Sequence, residues 1–160
     1  MAANSRAARL LKAMDNLVTK TCFDHGTVLK KVKLHTVSNG AFQGSFTVDK
    51  SICNMGGSLH GGYIAAVSDV LSFYTQLSNN DAKLSFTTGM NISYIGTALE
   101  GETVNVATKS LKKGNSSVVE TYFHNENGKI LAKSITSFLA GPEPLQSLPK
   151  NFIGFDVHEN

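Results

Sequence analysis

A chain of 160 residues, 41% hydrophobic and 17% charged, has the make-up of one globular domain with a substantial core. Its net charge of +3 suits a small anionic ligand, and the lack of any long basic run excludes a nucleic-acid surface. Cys22 and Cys53 form no C-x-x-C pair, which argues for a reducing compartment, and His25, His35, His60, His124 and His158 show no metal-ligand spacing.

The first predicted element is a short amphipathic helix over Ser5 to Thr19. Ala8, Leu11, Met14, Leu17 and Val18 fall near helical spacing, with Arg6, Arg9 and Lys12 elsewhere. The segment is basic, with no acid before Asp15. That fits a packing helix at the domain edge, and it also fits a mitochondrial targeting segment, so cytoplasm and mitochondrion both stay open. A strand is expected over Thr27 to Thr36, with Val32 and Leu34 on one face and Lys31, Lys33 and His35 on the other. Asn39-Gly40 signals a hairpin. Ala41 to Val48 then alternates, Phe42, Phe46 and Val48 against Gln43, Ser45 and Thr47.

The stretch Asn54 to Leu77 comes next. Asn54 to Gly62 holds four glycines and cannot be an ordinary helix interior. Tyr63 to Leu77 is almost wholly apolar or small, and Asp69 is its only charge. A helix apolar nearly all round is a buried one. It is too short and too interrupted to span a bilayer. A carboxylate buried there is costly unless paired or at work. A pairing or capping role is the plain reading. The glycine turn suggests a second one: helix N-termini present unpaired N–H groups that can polarise a carbonyl, and a carboxylate can act as base. Gly61 and Asp69 are eight residues apart, about 12 Å along a helix. A base must come within about 3 Å of the reacting proton, or act through one water. One chain cannot bring both groups to one carbonyl. Two copies related by a twofold axis could, each Asp69 serving the other's glycine turn. An obligate dimer with two interface sites is therefore expected.

Asn79-Asn80-Asp81 ends the helix, and four strands should follow. Leu84 to Tyr94 places Phe86, Met90, Ile92 and Tyr94 on one face, and Thr87, Gly89, Asn91 and Ser93 on the other. Glu102 to Leu111 and Ser116 to His124 come next, then the turn signal Asn127-Gly128 and a last strand over Lys129 to Ala140. Hairpin-linked strands with one long helix argue for an α+β class, an antiparallel sheet wrapped round that helix. Gly141-Pro142-Glu143-Pro144 closes a domain over 1–140. The tail over 141–160 is too apolar at Phe152, Ile153, Phe155 and Val157 to be simply disordered.

The segment H-G-G-x6-D (His60, Gly61, Gly62, Asp69), preceded by Asn54, resembles the hotdog-fold acyl-CoA thioesterases. More narrowly it is similar to the thioesterase superfamily member 2 type, also called acyl-CoA thioesterase 13, within the PaaI-like group. M-N-I-S-Y (Met90 to Tyr94), Gly101-Glu102 and L-K-K-G (Leu111 to Gly114) add to the likeness, which runs from about Asn4 to Ala140. The resemblance implies a hotdog fold, a dimer assembled further into a tetramer, and hydrolysis of acyl-CoA to free acid and coenzyme A. No metal or redox cofactor is implied, coenzyme A being part of the substrate.

Residue by residue, the resemblance makes Asp69 a general base or nucleophile and the Gly61 N–H the carbonyl-polarising donor. Gly62 joins it in the turn. Asn54 orients the water or thioester, or else caps its own loop. His60 holds the loop or bonds the carbonyl. Thr87 stands where relatives carry an assisting serine hydroxyl. Gly89 stands where close relatives carry an aspartate, a departure that leaves room for a non-catalytic acyl-CoA binder. A hotdog hydratase is the nearer rival, but its His–Asp or His–Glu pairing is not evident. Lys112, Lys113, Gly114, Asn115 and Ser116 match the nucleotide-binding segment, with Tyr94, Ile95, Gly96 and Thr97 in the neighbouring stretch. Tyr63, Val67, Phe73 and Tyr74 are candidates to line the acyl slot, though each also reads as core.

Overall fold

The computed structural model describes residues 6–17 and 22–156. Ser5, Val18, Thr19, Val157 and His158, on which expectations above rest, lie outside the described residues. Helix α1 spans Arg6–Leu17. Its buried stripe is Leu10, Ala13, Met14 and Leu17, a clean i, i+3, i+4, i+7 set, rather than one built on Ala8 and Leu11. Arg6 is not on the solvent face either. It is buried and donates to the backbone carbonyl of Asn79, closing α1 onto the end of the long helix.

The strand expected from Thr27 begins later. Phe23–Val28 forms a π-helical turn and Leu29–Lys31 a 3-10 turn, and strand β1 covers only Lys33–Ser38. Val28 and Leu29 are adjacent and both fully inside the core. Successive residues of a strand point to opposite faces, so a strand with one face toward solvent would expose one of the pair. Within β1 a bulge at His35 keeps Leu34 and Val37 on the inner side.

The remaining strands are β2 (Ala41–Thr47), β3 (Ser85–Tyr94), β4 (Thr103–Lys112), β5 (Ser116–Asn125) and β6 (Ile130–Ala140). They form one antiparallel sheet in the order β1-β2-β4-β5-β6-β3. Phe42 and Phe46 of β2, Val104 and Val106 of β4, and Val119 and Phe123 of β5 are buried, while their sequence neighbours turn outward.

Helix α2, Gly61–Leu77, packs against β2 through β6. Its sheet-facing side is not purely apolar. Ser68, Ser72 and Thr75 are fully buried at one-turn spacing. Ser72 shares a hydrogen bond of 3.2 Å with Thr121 of β5, and the Thr75 hydroxyl meets both Thr108 of β4 and, at 2.7 Å, the Leu71 carbonyl. Ser72 and Thr75 are thus satisfied without help from solvent, whereas the Ser68 hydroxyl has no partner among the described residues.

Strand β3 is an edge, bonded to β6 alone, and most of it is exposed. A bulge at Thr88 changes the expected division of its faces. Thr87 lies opposite Phe138, Met90 opposite Thr136, Ile92 opposite Ser134 and Tyr94 opposite Ala132. Those four β6 residues are buried against the helix side, so Thr87 shares that side with Met90, Ile92 and Tyr94 and is separated from Phe86.

Beyond Ala140 the chain folds back. The Gln146 side chain accepts from the Leu84 N–H (2.8 Å) and donates to the carbonyls of Leu84 (3.1 Å) and Gly141 (2.8 Å). Helix α3, Leu148–Ile153, then buries Pro149 and Ile153, and Phe155 packs beneath the Arg9 guanidinium at 4.8 Å.

Candidate active site

The glycine turn is held by its own side chains. Asn54 Oδ1 accepts from the N–H groups of Gly56 (2.9 Å) and Ser58 (3.3 Å), and its Nδ2 donates to Ser58 Oγ (2.9 Å). Asn54 thus organises the loop, as the capping alternative has it. His60 is the N-cap of α2, and its Nδ1 accepts the Gly62 N–H at 2.8 Å. That bond requires Nδ1 to be unprotonated and places the ring proton on Nε2. Two close approaches explain the paired glycines. A Cβ on Gly62 would lie 3.0 Å from His60 Nδ1, and one on Gly61 would lie 3.1 Å from the Tyr94 ring. The Tyr94 hydroxyl donates to the Gly61 carbonyl at 3.0 Å. The Gly61 N–H has no partner among the described residues and opens onto a cleft of about 240 Å³ lined also by Asn54, Tyr94, Gly96 and Thr97.

Asp69 lies two turns further along α2. It is half-buried rather than enclosed, so the desolvation expected of it is only partial in the protomer. The Thr87 hydroxyl donates to its Oδ1 at 2.7 Å, a charge-assisted bond that fixes the carboxylate. Only the bulge at Thr88 makes this possible, by turning Thr87 toward the helix. Asp69 and Thr87 sit in a second, larger cleft of about 430 Å³. Its apolar walls come from Phe73, Phe86, Leu148 and Phe152, and its inner end from His25 and Tyr74.

The His25 ring makes a bond from Nε2 to the Tyr74 hydroxyl and one of 3.0 Å from Nδ1 to Cys22 Sγ. Burial pushes the His25 pKa below its ordinary value and the Tyr74 phenol above its own. Of the four proposed slot residues, Phe73 and Tyr74 line this cleft. Tyr63 and Val67 do not. Val67 is wholly core, and Tyr63 is buried with its hydroxyl on the Val28 carbonyl at 3.1 Å. His25, Phe86, Leu148 and Phe152 were not anticipated. The i, i+4 spacing of Leu148 and Phe152 was the available signal for the last two.

The two clefts share no residue. Within one protomer the unpaired amide and the carboxylate are therefore not joined at a common reaction centre. The coenzyme A segments divide likewise. Tyr94, Ile95, Gly96 and Thr97 adjoin the Gly61 cleft, where the N–H groups of Ile95 and Gly96 are already given to the Leu131 carbonyl (2.9 and 2.8 Å). The turn from Lys112 to Ser116 lies at the other end of the sheet, its Asn115 carbonyl on the Ala140 N–H at 2.8 Å. Tyr94 is opposite Ala132, so the separation along β6 is about 26 Å at roughly 3.3 Å per residue. Lys112 and Lys113 are exposed there, and Lys83 bonds Asn115 Oδ1 at 2.8 Å. The basic turn thus lies toward the Asp69 end of the sheet and the Tyr94 segment at the Gly61 end.

Comparison with known proteins fits this arrangement. The model of the thioesterase superfamily matches residues 56–132. A Saccharolobus solfataricus protein bearing an esterase name is 28% identical over 129 residues, 80% of this chain and 90% of that one. The crystal structure of zebra fish thioesterase superfamily member 2, 26% identical, superposes with a TM-score of 0.76 over 81% of this chain and 94% of its own. A thioesterase-named protein of Streptococcus pneumoniae solved with coenzyme A, 18% identical, shares the fold with a TM-score of 0.69 over 74% of this chain and 92% of that one. The family match begins in the glycine turn, contains the whole of α2 and runs into β6, and a sheet of six antiparallel strands around one long helix is the hotdog fold. Residues 56–132 thus match the thioesterase superfamily, and the architecture of the chain is the hotdog fold.

Proposed function

We propose that the protein hydrolyses acyl-CoA thioesters to the free acid and coenzyme A, and does so as a homodimer. Each site takes Asp69 and Thr87 from one subunit, and the Gly61 N–H and the Asn54 loop from the other. One observation carries the reading: the amide donor and the carboxylate occupy separate clefts of the protomer, about 12 Å apart along one helix. An isologous pairing of two helices would bring each cleft against its complement. The free β3 edge, with Met90 and Tyr94 exposed on it, offers unpaired backbone for such a contact.

In that site the Gly61 N–H donates to the thioester carbonyl oxygen and stabilises the negative charge it gains. The Asp69 carboxylate, held by Thr87, delivers the oxygen nucleophile to the carbonyl carbon. It either removes a proton from water or attacks directly. By the water route the carbonyl carbon–sulfur bond then breaks and the proton held on Asp69 passes to the sulfur, releasing the acid and the thiol of coenzyme A. By direct attack the same bond breaks to leave an acyl–Asp69 anhydride, which a water then hydrolyses to the acid, its proton balancing the departing thiolate. Asn54 and His60 serve by holding the turn in which the Gly61 N–H points outward. The exposed Lys112 and Lys113 supply cations for the nucleotide phosphates, and the coenzyme A bound by the Streptococcus pneumoniae relative supports that ligand class. A dimer of such dimers is the assembly this reading favours.

Subunit mixing tests the two-chain site. Asp69→Asn and Gly61→Val should each be inactive in an acyl-CoA assay that detects released thiol. Refolding them together should restore about a quarter of wild-type activity, because half the dimers are mixed and each carries one intact site. Restoration of nothing, from two correctly folded partners, would refute the shared site. Tight acyl-CoA binding by the wild type with no turnover would refute hydrolysis.

A further inference from the structure

One apolar wall of the Asp69 cleft is made by α3. Leu148 and Phe152 stand one turn apart on α3 and both line the cleft. The Phe152 ring lies 6.5 Å from that of Phe73, whose helix also carries Asp69, and Phe86 supplies a third aromatic face. This wall is fixed rather than draped. Three hydrogen bonds from Gln146 tie its base to Leu84 and Gly141, Pro149 and Ile153 are buried, and Phe155 lies under Arg9. The bonded pair of His25 and Tyr74, both buried, also lines the cleft.

We infer that α3 sets acyl-chain selectivity, Phe152 being the residue that limits the length and bulk of the acyl group. The inference rests on the thioesterase reading above. A thioester with its carbonyl near Asp69 has two bounds on its acyl group, the aromatic wall and the His25–Tyr74 pair. A compact acyl group fits within them and gains contact with three rings. A long unbranched chain reaches the Phe152 ring and must displace it against anchors that hold α3 in place. Apolar pockets discriminate by about 10- to 200-fold for a methylene-sized misfit. A whole ring at the boundary is therefore enough to rank substrates.

The test compares hydrolysis of hexanoyl-CoA and hexadecanoyl-CoA by the wild type, Phe152→Ala and Phe152→Trp. The wild type should favour hexanoyl-CoA in kcat/KM. Phe152→Ala should raise the hexadecanoyl-to-hexanoyl ratio of kcat/KM about tenfold, and Phe152→Trp should lower that ratio. Phe152 is 37% exposed, so neither change empties the core, and a melting curve on each variant establishes that it folds. If the alanine variant does not fold, the tryptophan variant alone decides. A ratio unchanged in every folded variant, with hydrolysis intact, overturns the role of α3 and leaves the thioesterase reading standing. Absence of hydrolysis of either substrate by the wild type overturns the thioesterase reading, and the α3 inference with it.

Discussion

Gly61→Ala should change the sign of its effect on stability with the residue at position 94. In the wild type the new Cβ would sit 3.1 Å from Tyr94 Cε1 and 3.3 Å from Cζ, several tenths of an ångström inside ordinary contact. Tyr94 is 55% exposed and can swing outward, but doing so stretches its 3.0 Å bond to the Gly61 carbonyl. The loss of that bond costs about 0.5–1.5 kcal/mol. Against it, alanine is favoured over glycine in a helix by up to about 1 kcal/mol, less at the first position than in the interior. The two effects leave Gly61→Ala neutral to mildly destabilising. In a Tyr94→Ala background the obstacle and the bond are both gone, and the same substitution should stabilise by a few tenths to about 1 kcal/mol. The coupling is then about 1 kcal/mol, or roughly 2–4 °C in Tm for a chain of this length. Urea unfolding of the four proteins at one fixed concentration measures it. An equal effect of Gly61→Ala with and without the tyrosine ring would refute the close approach as the reason for glycine at 61.

Thr87→Val keeps the shape but removes the donor to Asp69. A hydrogen bond to a charged group is worth about 1.5–3 kcal/mol, so kcat should fall by about 10- to 100-fold, with KM little changed and activity rescued by Thr87→Ser. His60→Ala removes the N-cap acceptor and should cost about 1 kcal/mol, read as a Tm lower by roughly 2–4 °C. His25 contributes a pH dependence of definite sign. Its native pKa lies below the unfolded value of about 6.5, so the unfolded chain takes up the proton first and stability falls as pH drops below that value. A Tm profile from pH 8 to 5 should show that fall, and His25→Gln should flatten it. Lys31 holds the Asp49 carboxyl down to about 2, and the small stabilisation it confers should be present above pH 4 and lost as pH falls through 2. Lys31→Met should shrink that step in an acid titration of Tm, the remainder being due to the Ser51 hydroxyl and N–H that also bond Asp49.

Locally written features were legible in the residues alone. The glycine turn and the apolar run with one acid gave α2, because burial on nearly every side leaves no doubt about period or location. Asn39-Gly40 and Asn127-Gly128 marked hairpins by their turn chemistry. What depended on packing was not legible. Val28 and Leu29 look like strand residues until both must enter one core. The buried stripe of α1 follows from where α1 lies, and Arg6 is inside because the Asn79 carbonyl awaits it. The bulge at Thr88 leaves no composition signal, yet it alone turns Thr87 toward Asp69 and Phe86 away from Met90. For the same reason Thr87 could be named from family resemblance and not from alternation, which put it on the wrong face. Leu148 and Phe152 reach the cleft only because Gln146 brings the chain back across Leu84.

The serines and threonines beneath α2 act as an angular index for the helix. Asp69 follows Ser68, about 100° further round the axis. A slip of α2 by one position would strip Thr108 and Thr121 of their hydroxyl partners and swing the acid in toward the sheet. An interior of leucines would accept several such settings at nearly equal energy, whereas paired hydroxyls accept one. The cleft-facing side chains can therefore drift to suit new substrates while the acid keeps its bearing.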